Sequence, residues 1–484
     1  MHFALITKIL GILLMVFSFS MVPPVVVAWY FQDGSELAFL GSFGIIFILG
    51  LALWLPVWRQ KAELQTRDGF LVVTLFWAVL GSIGALPLLL SPALDLSVTD
   101  AVFEAVSGLT TTGATVLTGI EDLPNALRYY RQQLQWLGGM GIIVLAIAIL
   151  PMLGVGGMQL FKAEIPGPMK EAKLTPRIAE TAKALWIIYV AFTIACAALY
   201  RWAGMSWFDA IGHSFSTVST GGFGMYDSSM AHFDSGLIDM IACLFIFLGA
   251  VSFALHFAVW RGKSLAAYIV DPEFRFFVGL ICLYVAVIAG GLWVHNVFQG
   301  DALTTLRHSL FQALSFSTGT GLTSTSASAW PSYIPYLLVL TSFLGGCAGS
   351  TGGGMKIIRS ALVFHHSLRE LRRLIYPTGV FSVRFGRRAA DDRVLQAVWG
   401  FVGVYITLAV IITMLFMMTG LDAGTALSAT TASLNNLGVG IDGVSSGFSE
   451  ISTFAKWLMC FAMLLGRLEV FTMLVLFMPL FWRQ

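Results

Sequence analysis

Charged residues are scarce in this chain of 484 residues, since Asp, Glu, Lys and Arg make up only 11% of it while 57% is apolar. A soluble globular protein carries about 25% charged residues. The net charge of +2 also leaves no basic excess for binding a polyanion. The composition therefore excludes a soluble enzyme, a disordered scaffold and a nucleic-acid binder, and it indicates a protein that crosses a membrane several times.

The chain also has few cysteines, and it has no nucleotide-binding motif. The five cysteines are scattered, with no CxxC pair and no neighbouring histidine, which argues against a disulfide framework or a zinc site. The run from Gly349 to Lys356 superficially resembles a phosphate-binding loop, but Met355 separates its last glycine from the lysine and no Ser or Thr follows. The chain either uses an ion gradient alone or is controlled by a separate subunit.

Apolar sequence is abundant and falls in runs of about 20 residues, the length that a helix needs to cross a bilayer. The first run is interpreted as a span and not as a signal peptide, because no small-residue cleavage site follows it. The ten candidate spans lie at about 9–28, 38–57, 70–90, 134–157, 184–205, 236–260, 276–298, 333–366, 394–420 and 457–482.

Most of the 28 lysines and arginines lie in alternate connections, at 59–69, 158–183, 260–275 and 367–393. Because short cytoplasmic connections accumulate basic residues, these four are predicted to be cytoplasmic, with both termini inside. The opposite side is acidic, which would concentrate cations or simply provide solubility. The acids expected at this outer mouth are Glu104, Glu121, Asp122, Asp209, Asp227, Asp234, Asp301, Asp422, Asp442 and Glu450.

Four outer connections contain a segment that is too short and too rich in hydroxyl groups to span, at 99–118, 206–226, 303–324 and 421–440. Each contains a glycine after a stretch rich in Ser, Thr or Asn, and these glycines recur about 110 residues apart. Each unit then consists of a span, a short re-entrant helix, a loop and a second span. The predicted fold is an all-α polytopic membrane protein with four span–pore loop–span repeats around a pseudo-fourfold axis and two extra N-terminal spans.

The repeat spacing also predicts how the chain is divided. The segments are 1–60 with two accessory N-terminal spans, 61–160 with pore repeat 1, 161–265 with repeat 2, 266–370 with repeat 3 and its interrupted second span, and 371–484 with repeat 4.

Irregular backbone at membrane depth is tolerated only where protein buries it or where it lines a water-filled cavity. Four loops around one axis offer backbone carbonyls that can replace the hydration shell of a cation. The negative C-terminal end of each short helix would point toward the same place. The loops contain no Asp or Glu, which argues against a divalent site. Close helix packing through small residues explains one such segment better than four, so we predict a pathway for monovalent cations.

The runs Thr110–Thr115, Ser219–Phe223 and Asn435–Gly438 resemble the filters of the Trk/Ktr/HKT potassium-uptake superfamily, and the layout of ten spans resembles its TrkH branch. The resemblance covers essentially the whole chain. It implies a homodimer in the bacterial inner membrane whose pores hold K⁺ on backbone and threonine oxygens. The implied ion-lining residues are Thr111, Thr112, Gly113, Thr220, Gly221, Gly222, Gly319, Thr320, Gly321, Asn436, Leu437 and Gly438.

The resemblance also bears on selectivity. In the family, a serine in place of the first-repeat glycine accompanies a preference for Na⁺, and this chain has Gly113 there. K⁺ is therefore favoured. Because no copy has the full TVGYG sequence of potassium channels, selectivity against Na⁺ is expected to be weaker than in those channels.

A Gly-rich run interrupts the eighth span. Six of the ten residues from Gly345 to Gly354 are glycine, so this stretch cannot hold a stable helix. Its position after the third loop predicts a gate beneath the filter, and TrkH-like proteins carry an intramembrane loop here; a passive kink is the alternative. The predicted gate residues are Gly345, Gly346, Gly349, Ser350, Thr351, Gly352, Gly353, Gly354, Lys356 and Arg467.

Arg467 lies near the middle of the last span, where a charge costs at least about 2.5–3.5 kcal/mol. Glu469 is two residues further on and points to a different face of the helix. We expect Arg467 to face the pore, donate hydrogen bonds to carbonyls of the Gly-rich run, and repel cations when the gate is closed. The alternative is a structural ion pair with another helix.

These patterns predict K⁺ uptake, driven by the membrane potential, through a gated and carbonyl-lined filter. Positive-inside topology can explain the basic connection 367–393, but the resemblance implies that a cytosolic TrkA-like ring docks there and binds NAD or ATP/ADP on its own Rossmann domains. The alternatives are a K⁺/H⁺ or K⁺/Na⁺ symporter, a sensor without flux, and a secondary transporter of small organic solutes. A solute transporter would show inverted repeats and two broken helices, whereas the sequence shows parallel repeats and one broken span.

Overall fold

The computed structural model describes residues 1–60, 65–144, 174–327, 330–386 and 388–483. Part of the predicted fourth span, most of the basic connection 158–183, and the boundary between repeats 1 and 2 lie outside the described residues. The other repeat boundaries stay predictions.

The described chain is helical apart from its loops and one short hairpin. The helices are α1 (Phe3–Ser18), α2 (Val22–Phe31), α3 (Glu36–Trp54), α4 (Thr66–Ile83), α5 (Leu86–Leu90), α6 (Val98–Leu109), α7 (Asn125–Val144), α8 (Leu174–Trp202), α9 (Trp207–Val218), α10 (Gly236–Ala250), α11 (Phe253–Gly262), α12 (Ala266–Val270), α13 (Pro272–Val294), α14 (Ala302–Ser317), α15 (Tyr333–Thr341), α16 (Ile357–Ile375), α17 (Asp392–Met418), α18 (Ala423–Leu434), α19 (Thr453–Arg467), α20 (Phe471–Leu474) and α21 (Pro479–Trp482). The antiparallel hairpin consists of β1 (Arg384–Phe385) and β2 (Arg388–Ala389).

Several of these helices have the length and the apolar composition of membrane spans. Counting only the described residues, six segments are long and apolar enough to cross it, and two bent helix pairs raise the number to eight if each pair is one span. Large apolar side chains such as Leu37, Ile194 and Met418 are exposed on their outer sides, as expected of helices that face lipid. The six segments are Phe3–Phe31, Glu36–Val57, Arg67–Leu90, Ala182–Trp202, Pro272–Val294 and Asp392–Met418.

Four short helices, α6, α9, α14 and α18, each lie between a first and a second span, which confirms the four-repeat fold. They begin at equivalent N-caps, Ser97, Ser206, Asp301 and Asp422, whose side chains accept hydrogen bonds from backbone N–H groups of the first turn. Such caps satisfy N–H groups that have no partner within the helix. The hydroxyl-rich segments therefore form re-entrant helices, as the sequence predicts.

The expectation of a single broken span is wrong. Besides the break between α15 and α16, α10 and α11 meet at 93°, and α19 and the helices after it meet at 108°. At the first bend, Cys347 N donates to Ala250 O at 2.9 Å and Thr351 N to Gly249 O at 3.2 Å. The carbonyls that would extend α10 are thus bonded by the Gly-rich run, and this contact was not readable from a local pattern.

The two N-terminal spans pack through small residues. A Cβ placed on Gly11 would lie 2.7 Å from Gly50 O, and one placed on Gly50 would lie 2.8 Å from Gly11 O. The backbones of α1 and α3 therefore approach as closely as in small-residue contacts between membrane helices.

Replacing Gly50 with valine is expected to destabilise this contact, because overpacking costs about 1–3 kcal/mol. The measurement is the Tm of the detergent-purified protein, followed by tryptophan fluorescence. The control is Gly44→Val on the same helix, where a Cβ has no described atom within 4 Å. Equal Tm values for the two variants would contradict the packing argument.

Candidate ion pathway

The loops after α6, α9, α14 and α18 have the same backbone conformation. In each predicted ion-lining trio the first residue has φ between 49° and 73°, and the third has φ between 77° and 86°. Left-handed residues of this kind commonly end helices. The trios are Thr111–Gly113, Thr220–Gly222, Gly319–Gly321 and Asn436–Gly438.

The four trios touch one another in a closed ring. The glycine in the third position of each trio lies against the carbonyl of the middle residue in the next one, so that any Cβ there would collide with that oxygen. The contacts run from Gly113 to Gly221, from Gly222 to Thr320, from Gly321 to Leu437, and from Gly438 back to Thr112. The structure therefore brings all twelve sequence-predicted residues together at one place.

The carbonyls of this ring are available as ligands. In each trio the middle N–H donates back into its own short helix, and because N–H and C=O of one peptide unit point in opposite directions, the preceding carbonyl points away from that helix. Among the described donors only Gln135 Nε2 bonds a trio carbonyl, that of Gly221 at 2.5 Å. Buried carbonyls are almost always paired, so this ring suits a cation or water. The four N–H bonds are Thr112 to Ser107 at 2.9 Å, Gly221 to Ser216 at 2.8 Å, Thr320 to Ser315 at 2.8 Å and Leu437 to Ala432 at 3.0 Å.

The threonine hydroxyls of the ring are mostly occupied by protein partners, so backbone oxygens are the principal free acceptors. Thr111 Oγ1 is the exception, since it has no partner among the described residues. The other hydroxyl contacts are Thr112 with Thr110 at 2.8 Å, Thr320 with Thr318 at 2.7 Å, and Thr220 with Ser219 O at 2.7 Å and Thr351 Oγ1 at 3.1 Å.

The Gly-rich run lies directly beneath the ends of three short helices. Thr351 Oγ1 lies 3.3 Å from Val218 O and 3.0 Å from Gly249 O, and its proton is shared between them. Gly353 N donates to Thr318 O at 3.1 Å, and Gly354 N donates to Asn435 O at 3.1 Å. Only glycine permits this approach, because a Cβ on Gly353 would collide with Asn435 O. We call residues 351–354 the crown of the loop and the flanking residues its neck.

Two buried cations lie next to this loop. Lys356 has a φ of +73° and donates through its ammonium group to Gly352 O. Arg467 is buried, and its Nε and Nη2 atoms have no partner among the described residues. The two cations are close enough to interact electrostatically.

The expected hydrogen bonds from Arg467 to carbonyls of the Gly-rich run are not made by its Nε or Nη2 atoms among the described residues, and the Gly352 carbonyl accepts from Lys356 instead. The expectation that Glu469 does not neutralise Arg467 agrees with the structure, since Glu469 pairs with Arg359 at 2.5 Å.

The chain that forms this ring and loop is similar to known proteins over most of its length. A family model described as TrkH, cation transport protein, matches residues 35–483. The chain belongs to the TrkH family. This confirms the resemblance seen in the sequence, and it confirms a transport protein and not an enzyme.

The similarity to individual members covers full chains. The chain is 50% identical over 484 residues to the Trk system potassium uptake protein TrkH of Salmonella typhimurium and to that of Escherichia coli, with 100% of each chain covered. It is 41% identical to TrkG of Escherichia coli over 100% of this chain and 99% of that one. The crystal structure of the potassium transporter TrkH from Vibrio parahaemolyticus matches with a TM-score of 0.93 at 46% identity, covering 100% of both chains.

In this TrkH-family chain, the second trio and the residues after it are supported by polar side chains that were not among the predicted site residues. Gln135 Oε1 accepts from Phe223 N at 3.1 Å while its Nε2 bonds Gly221 O, and Gln132 Nε2 donates to Phe223 O at 2.9 Å. Arg128 Nη2 donates to Met225 O at 2.7 Å. These side chains lie on one face of α7. The helical spacing of polar residues in an otherwise apolar segment was the pattern that could have found them.

The expectation that Glu104 is an outer-mouth charge is wrong. Glu104 and Arg131 are each 1% exposed and form an ion pair at 2.7 Å. The carboxylate also accepts from Thr115 Oγ1 at 3.0 Å and Val116 N at 3.1 Å. A buried charge must be paired and hydrogen-bonded, and Glu104 ties α6 to α7 in this way.

Other acids of the predicted outer mouth have structural roles as well. Asp301 and Asp422 are the helix N-caps described above, and Asp227 accepts from Gly119 N at 2.8 Å while its own N–H donates to Glu121 at 3.1 Å. The backbone N–H groups around Glu121 lower its pKa. These carboxylates therefore organise the outer loops, whatever they contribute to attracting cations.

Removing one charge of the buried Glu104–Arg131 pair is expected to lower the free energy of unfolding by about 3–5 kcal/mol, because the other charge is left uncompensated. Glu104→Gln and Arg131→Met should each lower the Tm and the monodisperse yield, and the double variant should recover part of the loss. The control is Glu370→Gln, whose half-exposed pairs with Arg369 and Arg373 contribute about 0–1 kcal/mol. A double variant as unstable as the worse single variant would contradict this account.

Proposed function

We propose that this chain conducts K⁺ across the bacterial inner membrane through the ring of trios, driven by the membrane potential. The observation that carries the proposal is the closed ring of buried carbonyls, of which only that of Gly221 accepts from a donor among the described residues. Such oxygens can replace the hydration shell of a monovalent cation. The names of the full-length relatives, Trk system potassium uptake proteins, support K⁺ as the ion.

The glycines in the third position are proposed to set selectivity. Their positive φ values favour glycine, and the carbonyl of the neighbouring trio occupies the space that a Cβ would need. Any side chain at Gly113 would push the carbonyl of Gly221 out of the ring and change the distances on which discrimination depends.

Gly113→Ser is expected to reduce the K⁺/Na⁺ flux ratio about tenfold, which corresponds to about 1.4 kcal/mol of discrimination. Flux of K⁺, Rb⁺ and Na⁺ is measured in proteoliposomes. Gly279→Ser is the control, since a Cβ there has no described atom within 4 Å. An unchanged ratio would rule out the ring as the filter.

The same assay separates a channel from a symporter. Flux that does not respond to an imposed pH gradient or to a counter-gradient of Na⁺ supports a channel. Flux driven by either gradient would instead support K⁺/H⁺ or K⁺/Na⁺ coupling, and uptake of an organic solute would overturn the proposal.

The Gly-rich loop is proposed to be a closed gate, with Arg467 and Lys356 as its electrostatic barrier. The bonds of the crown to three helix ends support a plug directly under the ring. Two neighbouring cations in a low-dielectric interior oppose the passage of another cation.

Arg467→Ala is expected to raise the K⁺ flux of the purified chain by about tenfold, because removing a charge in a low-dielectric site lowers the barrier. Arg467→Lys retains the charge and should stay close to the parent protein. If Arg467→Ala only lowers the yield of protein and leaves the flux unchanged, Arg467 has a structural role.

We further propose that the chain forms a homodimer with both termini in the cytoplasm. A cytosolic TrkA-like ring would regulate it. Docking on the connection 367–393 is supported by exposed apolar residues near the end of α16 and in the loop after it, such as Leu374 and Val380, and by nearby basic residues such as Arg373. NAD or ATP/ADP would then bind the partner and not this chain.

A further inference from the structure

The carboxylate of Glu273 accepts hydrogen bonds from both sides of the Gly-rich loop, which is the proposed gate. Glu273 lies in the first turn of α13, where its Oε1 accepts from Ala348 N at 2.7 Å and from Ile358 N at 3.2 Å. Ala348 precedes the crown and Ile358 follows it. Only 6% of Glu273 is exposed, so one buried oxygen holds both ends of the neck.

Backbone hydrogen bonds within the loop make a second closure, one from the neck to the crown and one within the neck. Gly346 N donates to Gly353 O at 3.4 Å, and Ile357 N donates to Gly346 O at 3.0 Å. The first of these bonds is long, and the Glu273 carboxylate differs from both acceptors in carrying a charge, which strengthens the hydrogen bonds that it accepts. The loop is thus attached at its crown to the short helices and at its neck to α13 and, through Cys347, to the end of α10.

The start of α13 is a firm anchor. Asp271 caps it by accepting from Phe274 N at 2.7 Å, and Pro272 occupies the first helical position, where its ring favours the helix. The Glu273 carboxylate therefore projects from a backbone that is already ordered.

Acids occur at equivalent places in two other repeats, but their contacts differ. Asp68, in the first turn of α4, accepts from His2 N at 3.1 Å. Asp392, at the start of α17, is 76% exposed and contacts Arg369 at 3.1 Å. Of these three acids only Glu273 contacts the gate loop, so its contact follows the divergence of the third repeat and not the common repeat pattern.

We propose that Glu273 is a positioning residue for the gate, whose carboxylate ties both ends of the neck to α13 and so keeps the crown under the ring. This inference rests on the proposed function of the loop as a gate. Without the carboxylate, two buried N–H groups lose their acceptor in the closed arrangement. The closed state is then less populated, and the basal flux rises.

The test measures K⁺ flux through the full chain, purified and reconstituted alone in liposomes. Glu273→Ala is expected to raise basal flux at least about tenfold, since two hydrogen bonds to buried donors are lost. Glu273→Gln keeps an amide oxygen as acceptor and should remain within about twofold of the parent protein. The matched control is Asp392→Ala, which removes an acid from the first turn of α17, the corresponding helix of the fourth repeat, and should leave the flux unchanged.

Two further variants separate the possible failures. Thr351→Val removes a crown contact without touching the neck. If it raises flux while Glu273→Ala does not, the loop is a gate but Glu273 does not position it. If neither variant changes flux, the gate itself is overturned. If Glu273→Ala does not yield monodisperse protein, Glu273→Asp replaces it, because a carboxylate one methylene shorter cannot reach both N–H groups; parental flux in that variant would count against the proposal, and raised flux would support it.

Discussion

The structure depends on one constraint. Four short stretches of backbone must approach closely inside the membrane while most of their carbonyls have no hydrogen-bond donor among the described residues. Unpaired polar groups at this depth are costly, so the surrounding chain has to hold them in place. Each short helix does part of this, because its last turn takes the N–H of the middle trio residue and turns the preceding carbonyl away. Glycine in the third position does the rest, since the neighbouring carbonyl occupies the place of a Cβ.

The four repeats satisfy this constraint by different means. The second trio is held from outside by Gln135 and Gln132 of α7, and Arg131 of the same helix is tied to the first short helix through Glu104. The fourth trio is linked to the first by Asn436, whose Nδ2 donates to Thr112 Oγ1 at 2.9 Å. A common backbone conformation is thus combined with side-chain supports that are specific to each repeat, and this leaves room for the repeats to take different roles.

The third repeat uses that freedom furthest. Its second span is not helical over the Gly-rich run. Backbone N–H groups of this loop donate instead to carbonyls at the ends of neighbouring helices. Lys356 and Arg467 lie beside it, and Glu469 is paired with Arg359. The loop therefore has two buried cations next to it, whereas the ring itself is lined by carbonyl oxygens.

The sequence by itself determined the membrane class, the four repeats and the Gly-rich break, because each leaves a local mark in hydropathy, spacing or glycine content. The trios were implied by the resemblance of these loops to a known family. The sequence did not reveal the bends after Ala250 and Arg467, the burial of Glu104, the support from Gln135, or the contacts of Glu273. These features depend on residues far apart in the chain, and a carboxylate at a helix start looks the same in sequence whether it is solvated, like Asp392, or buried, like Glu273. Only the tertiary structure decided which polar groups had water as a partner and which had to find one within the protein.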